Sequence, residues 1–192
     1  MAEHTLSTED EQEVRDWVHA LVYGGFEFFE EIVEGTVEAF EDEELRAFIE
    51  EVAEEEWAQH KREQASWQAP TDNDRLDWAF ANLEDAGVVA RQNFACCNTC
   101  GHAEIGDETH GRAFDGYVFY HFQDTERAMS GHGLYLAFGS FVFANAQEEN
   151  DLLDEAVAGR VVDELRDVGL QPQWNGSANQ SIFVPMNWQK RR

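Results

Sequence analysis

Gly116-Tyr117-Val118-Phe119-Tyr120-His121-Phe122 is nearly all aromatic or β-branched. Such side chains suit a pleated, half-buried surface, so the stretch predicts a β-strand. Val88–Ala95 reads the same way, as does Leu134–Phe143, which is interrupted at Gly139. Leu170–Trp174 and Ser181–Pro185 add two more, and Asn175-Gly176 supplies the turn between them. Helical periods lie between these runs. Thr71-x-x-Asp74 is an N-cap pattern ahead of Leu76, Phe80 and Leu83, with a stop at Gly87. Asn150–Val168 aligns Leu153, Val157, Val161 and Leu165 on one side and ends at Gly169.

Upstream of this the chain is helical and acidic. Thr8-x-x-Glu11 fits a capping box, and Val14, Trp17, Val18, Leu21 and Val22 then share one face up to Gly24-Gly25. Phe29, Ile32, Val33, Val37 and Phe40 form a second apolar stripe. A third begins near Asp42 and aligns Leu45, Phe48, Ile49, Val52, Trp57 and His60. Trp67-Gln68-Ala69-Pro70 reads as a boundary. The expectation is an α+β fold with an acidic helical region at 1–69. That region packs on an α+β domain, 70–192, built on a mixed sheet of about five strands with flanking helices.

Charge narrows the function classes. Forty acidic residues face thirteen basic ones, a net of −27, and only Lys61 and Lys190 are lysines. Residues 1–66 hold 21 acids and 4 bases, so most of the imbalance sits on the helices. Nucleic-acid binding normally neutralises phosphates with Lys and Arg, and anionic membranes ask for the same, so neither partner is expected. Two explanations stay open: a surface suited to high salt, or an acidic face that meets a basic protein partner. Met1-Ala2-Glu3-His4 lacks the basic start and apolar run of a secretory signal, and no stretch is long and apolar enough to span a bilayer. The three cysteines lie within five residues of one another, unlike a disulfide framework. The expected location is the cytoplasm.

Several landmarks occur together in order. They are Gly116-Tyr-Val-Phe-Tyr-His-Phe-Gln-Asp124, Leu134-Tyr-Leu-Ala-Phe-Gly139 and Gly169-Leu-Gln-Pro-Gln-Trp-Asn-Gly176, with Thr71-Asp-Asn-Asp-Arg-Leu76 and Ala86-Gly87-Val88-Val89 upstream. In these the chain resembles a bacterial family of uncharacterised proteins, a domain of unknown function, over roughly residues 14–188. The resemblance implies a globular α+β protein and lends no activity, cofactor or catalytic residue.

Chemistry must then come from the residues themselves. Cys96-Cys97-Asn98-Thr99-Cys100-Gly101-His102 contains a Cys-x-x-Cys turn followed by glycine, a shape in which two thiolates meet one metal. A structural zinc site needs four ligands. Cys97 and Cys100 are two, and His102, His110, His121 or Cys96 are candidates for the rest. Residues 96–112 form a long connection without a secondary-structure period, which a metal clip would justify. Thiol–disulfide exchange is the competing use of Cys-x-x-Cys, but no thioredoxin-like βαβ pattern surrounds the motif. The plain alternative is a turn of small residues with solvated histidines.

His121 and Asp124, at the end of a strand, could serve as a base and its orienting carboxylate. Asp124 better suits the cap of a helix over 125–130, and His121 alternates with Tyr117 and Phe119 as a half-buried residue would. No Gly-x-Ser-x-Gly, phosphate loop or His-Glu-x-x-His accompanies them. The six tryptophans fall mostly on apolar faces and read as core. The leading expectation is therefore a non-enzymatic protein that acts by binding a partner, as an acidic interaction or inhibitor-like module. A zinc-stabilised protein is the alternative, and an enzyme built on His121 and Asp124 follows. Oligomeric state is not legible in the sequence.

Overall fold

The computed structural model describes residues 7–192; the N-terminal segment 1–6, on which the leader expectation rests, lies outside the described residues. The chain divides into two compact units. One runs to Gln68 and includes Gln189–Arg192; the other is Ala69–Trp188.

Among the described residues the first unit contains three α-helices, α1 (Thr8–Gly24), α2 (Phe29–Phe40) and α3 (Arg46–Gln64), with a short 3-10 turn at Glu43–Leu45. Ser7, not Thr8, is the N-cap of α1, accepting the Asp10 N–H at 3.2 Å. The cap sits one residue earlier than the Thr8-x-x-Glu11 pattern implied, because Ser7 offers the same hydroxyl chemistry. The three apolar stripes meet in one core, with Val14, Val18, Val22, Ile32, Val33, Val37, Ile49 and Val52 all buried. Their acidic faces point outward.

The second unit contains α4 (Asp72–Asp85), β1 (Val88–Arg91), α5 (Asn98–Glu104), β2 (Gly116–Phe119), α6 (Phe122–Met129), β3 (Leu134–Ser140), α7 (Gln147–Asp167) and β4 (Ile182–Val184). The fold is α+β, with a mixed four-stranded sheet in the order β1-β2-β3-β4 rather than about five strands. The stretch 170–174 contributes a single bridge, Gln173 with Phe183. Pro172 has no N–H to donate there, which works against a longer ladder. Strand β1 stops at Arg91 because Asn93 and Ala95 take positive φ. The stretch after Phe119 turns at once into α6, which starts at Phe122.

β1 and β2 are parallel, whereas β2–β3 and β3–β4 are antiparallel. A parallel pair requires a crossover, and here α5 lies in it. The expectation that 96–112 carries no secondary structure is corrected accordingly: it holds α5 and a short 3-10 turn at Asp107–Thr109. One sheet face packs against α4 and α7. Gly116 lets α7 approach there, since a Cβ would lie 2.5 Å from Val157. On the other face Val89 and Phe119 cluster with Ile105, just after α5.

Candidate thiol site

The segment carrying the cysteines is pinned before it reaches them. Arg91 pairs with Glu84 of α4 and with Glu108 of the 3-10 turn, the latter at 2.6 Å. The Phe94 N–H donates to the Tyr120 carbonyl at 2.8 Å, and Thr125 Oγ1 donates to Asn93 Oδ1 at 2.8 Å. Phe94 then packs its ring against Phe119. Chain direction and register at Cys96 are thus set by the sheet edge.

Cys97 is the N-cap of α5, in extended backbone, and Cys100 lies in the first turn. Gly101 is what allows this helix to sit so close to the sheet, because a Cβ there would penetrate the Phe119 ring. The sulfurs of Cys96, Cys97 and Cys100 all lie within 4.8 Å of one another, and Cys96 Sγ is 3.6 Å from Cys100 Sγ. All three are free thiols; Cys96 is exposed and the other two partly so. Three thiolates around one tetrahedral ion with bonds of about 2.3 Å stand about 3.8 Å apart, so only small movements separate this cluster from a coordinating one.

The thiols are not equivalent. No side-chain cap of ordinary geometry closes the turn, yet the Cys100 backbone amide, followed by the neighbouring thiols, brings Cys97 below the usual thiol range. Hydrogen bonding with Cys96 and Cys97 that favours the protonated Cys100, together with the charge of those two thiols, pushes Cys100 up to about 12. Of these two, Cys97 ionises before Cys100.

The histidines go elsewhere. Among the described residues, no imidazole or carboxylate joins the three sulfurs at that spacing. His102 is on α5 but turns to the sheet: its Nδ1 is 2.8 Å from the Tyr117 hydroxyl, and its ring meets Phe119 edge-on. His110 ends the 3-10 turn with φ of +45°. His121 is the N-cap of α6, with Nε2 3.1 Å from Asp124 Oδ2, so those two residues are brought together. Asp124 does not cap a helix starting at Thr125. It sits in the first turn and accepts the His121 N–H at 3.3 Å, an arrangement that closes the helix start. Burial raises Asp124 above the ordinary carboxylate value despite His121.

A polar cavity of about 280 Å³ opens beside α5, with Asn98, His102, Tyr117, Asp154, Asn179 and Gln180 among its walls. Asp154 accepts the Ser140 N–H at 2.7 Å. Burial lowers His102 below its usual value, although the residue's outer edge is exposed, and burial with the Asp154 charge lifts Tyr117 to about 12. Sequence reasoning missed Tyr117 and Asp154. The signal for Tyr117 is Gly139 opposite it in the β2–β3 register, since a Cβ at Gly139 would collide with the phenol. Asp154 has no comparable local signature.

Fold and site together define a small α+β protein with a partly exposed cluster of three thiols. The chain belongs to the family described as Domain of unknown function (DUF6891), which it matches over residues 7–192. No curated protein and no solved structure matches it. Among the described residues no helix is long and apolar enough to cross a membrane.

Proposed function

We propose that this protein binds a thiophilic metal ion through Cys96, Cys97 and Cys100, with zinc the divalent ion that this donor chemistry suits. The observation that carries the reading is the convergence of three sulfurs within 4.8 Å at the start of α5. Thiolate donors select soft or borderline ions, and three of them leave a fourth tetrahedral position for solvent or another donor. Partial exposure gives an ion a way in. Binding must strip the proton from Cys100, so affinity rises with pH.

Native mass spectrometry of protein purified without added metal or chelator tests this. One zinc per chain, lost in the Cys97→Ser, Cys100→Ser double variant, is the expected result. A metal-free mass that stays metal-free after titration with zinc would sink the reading.

Charge favours a second reading, an interaction module for a basic protein partner. The carboxylates of Glu9, Glu13 and Asp16 are exposed together along α1. This reading rests on charge alone and takes second place to geometry. Salt-sensitive binding of a poly-arginine peptide to the acidic helices would support it, and binding that ignores salt would count against it.

A further inference from the structure

Strand β1, helix α5 and parallel strand β2 form a β–α–β unit, and Cys97-Asn98-Thr99-Cys100 stands where the chain enters the helix. This framework is not legible in the sequence, because α5 has no apolar stripe. In this unit Cys97 opens the first turn, with Asn98 and Thr99 exposed between it and Cys100. A disulfide can therefore approach Cys97 from solvent. Cys100 lies within 4.8 Å of it, close enough to capture an intermediate after a small rotation.

We infer that Cys97 and Cys100 form an exchanging dithiol that reduces small-molecule disulfides carrying no negative charge, with Cys97 attacking and Cys100 resolving. The inference uses the sulfur cluster on which the metal reading rests but needs no metal. The Cys97 thiolate attacks one sulfur of R–S–S–R, and the S–S bond breaks. The leaving thiolate takes up the proton that Cys97 released, and a Cys97–S–S–R mixed disulfide remains. Cys100 then loses its proton and attacks Cys97 Sγ, which expels the second thiolate. The two cysteines have given up two electrons, and the external disulfide has become two thiols.

The geometry supports these roles. Cys97 stands at the entrance of α5 beside the exposed Asn98 and Thr99, whereas Cys100 lies inside the first turn. The charge restriction follows from the net −27, which disfavours the approach of anionic disulfides. Glu104 and Asp107 follow the motif closely and add to it.

The test uses chelator-treated, fully reduced protein and bis(2-hydroxyethyl) disulfide, followed by intact-mass spectrometry and peptide mapping. The wild-type chain is expected to lose two hydrogens, release two equivalents of 2-mercaptoethanol and gain a Cys97–Cys100 crosslink. Cys100→Ser should stop at a mixed disulfide on Cys97. Cys97→Ser should slow the reaction by about tenfold or more, because the attacking thiol is gone. Cys96→Ser should still form the crosslink, and doubly anionic glutathione disulfide should react more slowly than the neutral probe. Wild-type rates in Cys97→Ser, a crosslink confined to Cys96 and Cys100, or a stable mixed disulfide on the wild-type chain would each overturn the inference. Exchange by a protein that never takes up zinc defeats only the metal reading. Zinc uptake without exchange defeats only this one.

Discussion

The Nδ1 atom of His102 lies 2.8 Å from the hydroxyl oxygen of Tyr117, which ties the helix that carries the cysteines to the middle of the sheet. The pair joins α5 to β2 across fifteen residues of sequence, and Gly139 on β3 leaves the space in which the phenol lies. What holds the thiols in place is therefore the aromatic surface beneath α5 as much as the turn around them.

Tyr117→Phe removes that hydroxyl and nothing else. A net hydrogen bond of this kind contributes about 0.5–1.5 kcal/mol, so urea unfolding should register a loss in that range. His102 should also titrate closer to its ordinary value, since burial is what holds it down and the vacated space admits water. Histidine NMR titration reads this directly. An unchanged His102 titration in the variant would show that Tyr117 does not shape the imidazole's surroundings.

Two glycine substitutions should act in opposite directions. A Cβ at Gly101 would drive into the Phe119 ring, so Gly101→Ala must lift α5 from the sheet. The expected cost is about 1–3 kcal/mol, the usual range for overpacking, together with weaker zinc retention at the sulfurs. Gly35 lies inside α2 with nothing within 4 Å of its hypothetical Cβ. Gly35→Ala should stabilise by about 0.5–1 kcal/mol through backbone entropy. Chemical denaturation of both variants checks the pair, and a destabilised Gly35→Ala would contradict the open space around it.

These contrasts indicate what the sequence could show. The helical stripes were legible because each is long and periodic: Val14, Val18 and Val22 are buried as the spacing implies, as are Val157, Val161 and Leu165 of α7. The α5 helix was not, because seven residues beginning Asn98-Thr99-Cys100-Gly101 contain no apolar period. Its place in a parallel crossover depends on pairing between β1 and β2, which are separated by 24 residues and leave no local trace. The cysteines could be found from spacing alone. Their separation from His102, His110 and His121 could not, since that depends on which way a short helix rolls on Phe119.

His60 should give the first unit a pH dependence. The residue is 1% exposed, its ring lies edge-on to Tyr23 and Trp67, and neither nitrogen makes a hydrogen bond of ordinary geometry. Burial first, and then the Arg192 charge, lowers it below 6.5, while the Lys190 backbone and Glu63 oppose this more weakly. The unfolded chain therefore binds a proton at a pH where the folded chain does not. Stability is complete above that window and falls as pH drops below 6.5. His60→Leu should flatten the dependence of that unit between about pH 7.5 and about pH 5.5. Urea midpoints across that range decide it; a slope equal to wild type would remove His60 from the account.

Arg192 should matter more than a partly exposed arginine ordinarily does. Helix α1 has no basic side chain in its last turn, so its final carbonyls lack a local cation. The Arg192 guanidinium fills that role. Nε donates to the Val22 carbonyl and Nη2 to the Leu21 carbonyl, both at 2.7 Å, and Nη1 donates to the Glu27 carbonyl. The same group lies 4.3 Å from the centre of the Trp57 ring. Burial lowers it to about 10, which still leaves it cationic at neutral pH. Arg192→Ala should lose about 1.5–3 kcal/mol, the range for hydrogen bonds from a charged donor, and speed hydrogen exchange at the end of α1. Arg192→Lys keeps the charge but cannot reach three carbonyls with one planar fork, so it should fall between the two. Protection of the α1 amides unchanged in Arg192→Ala would mean that the chain end rests on the helices without holding them.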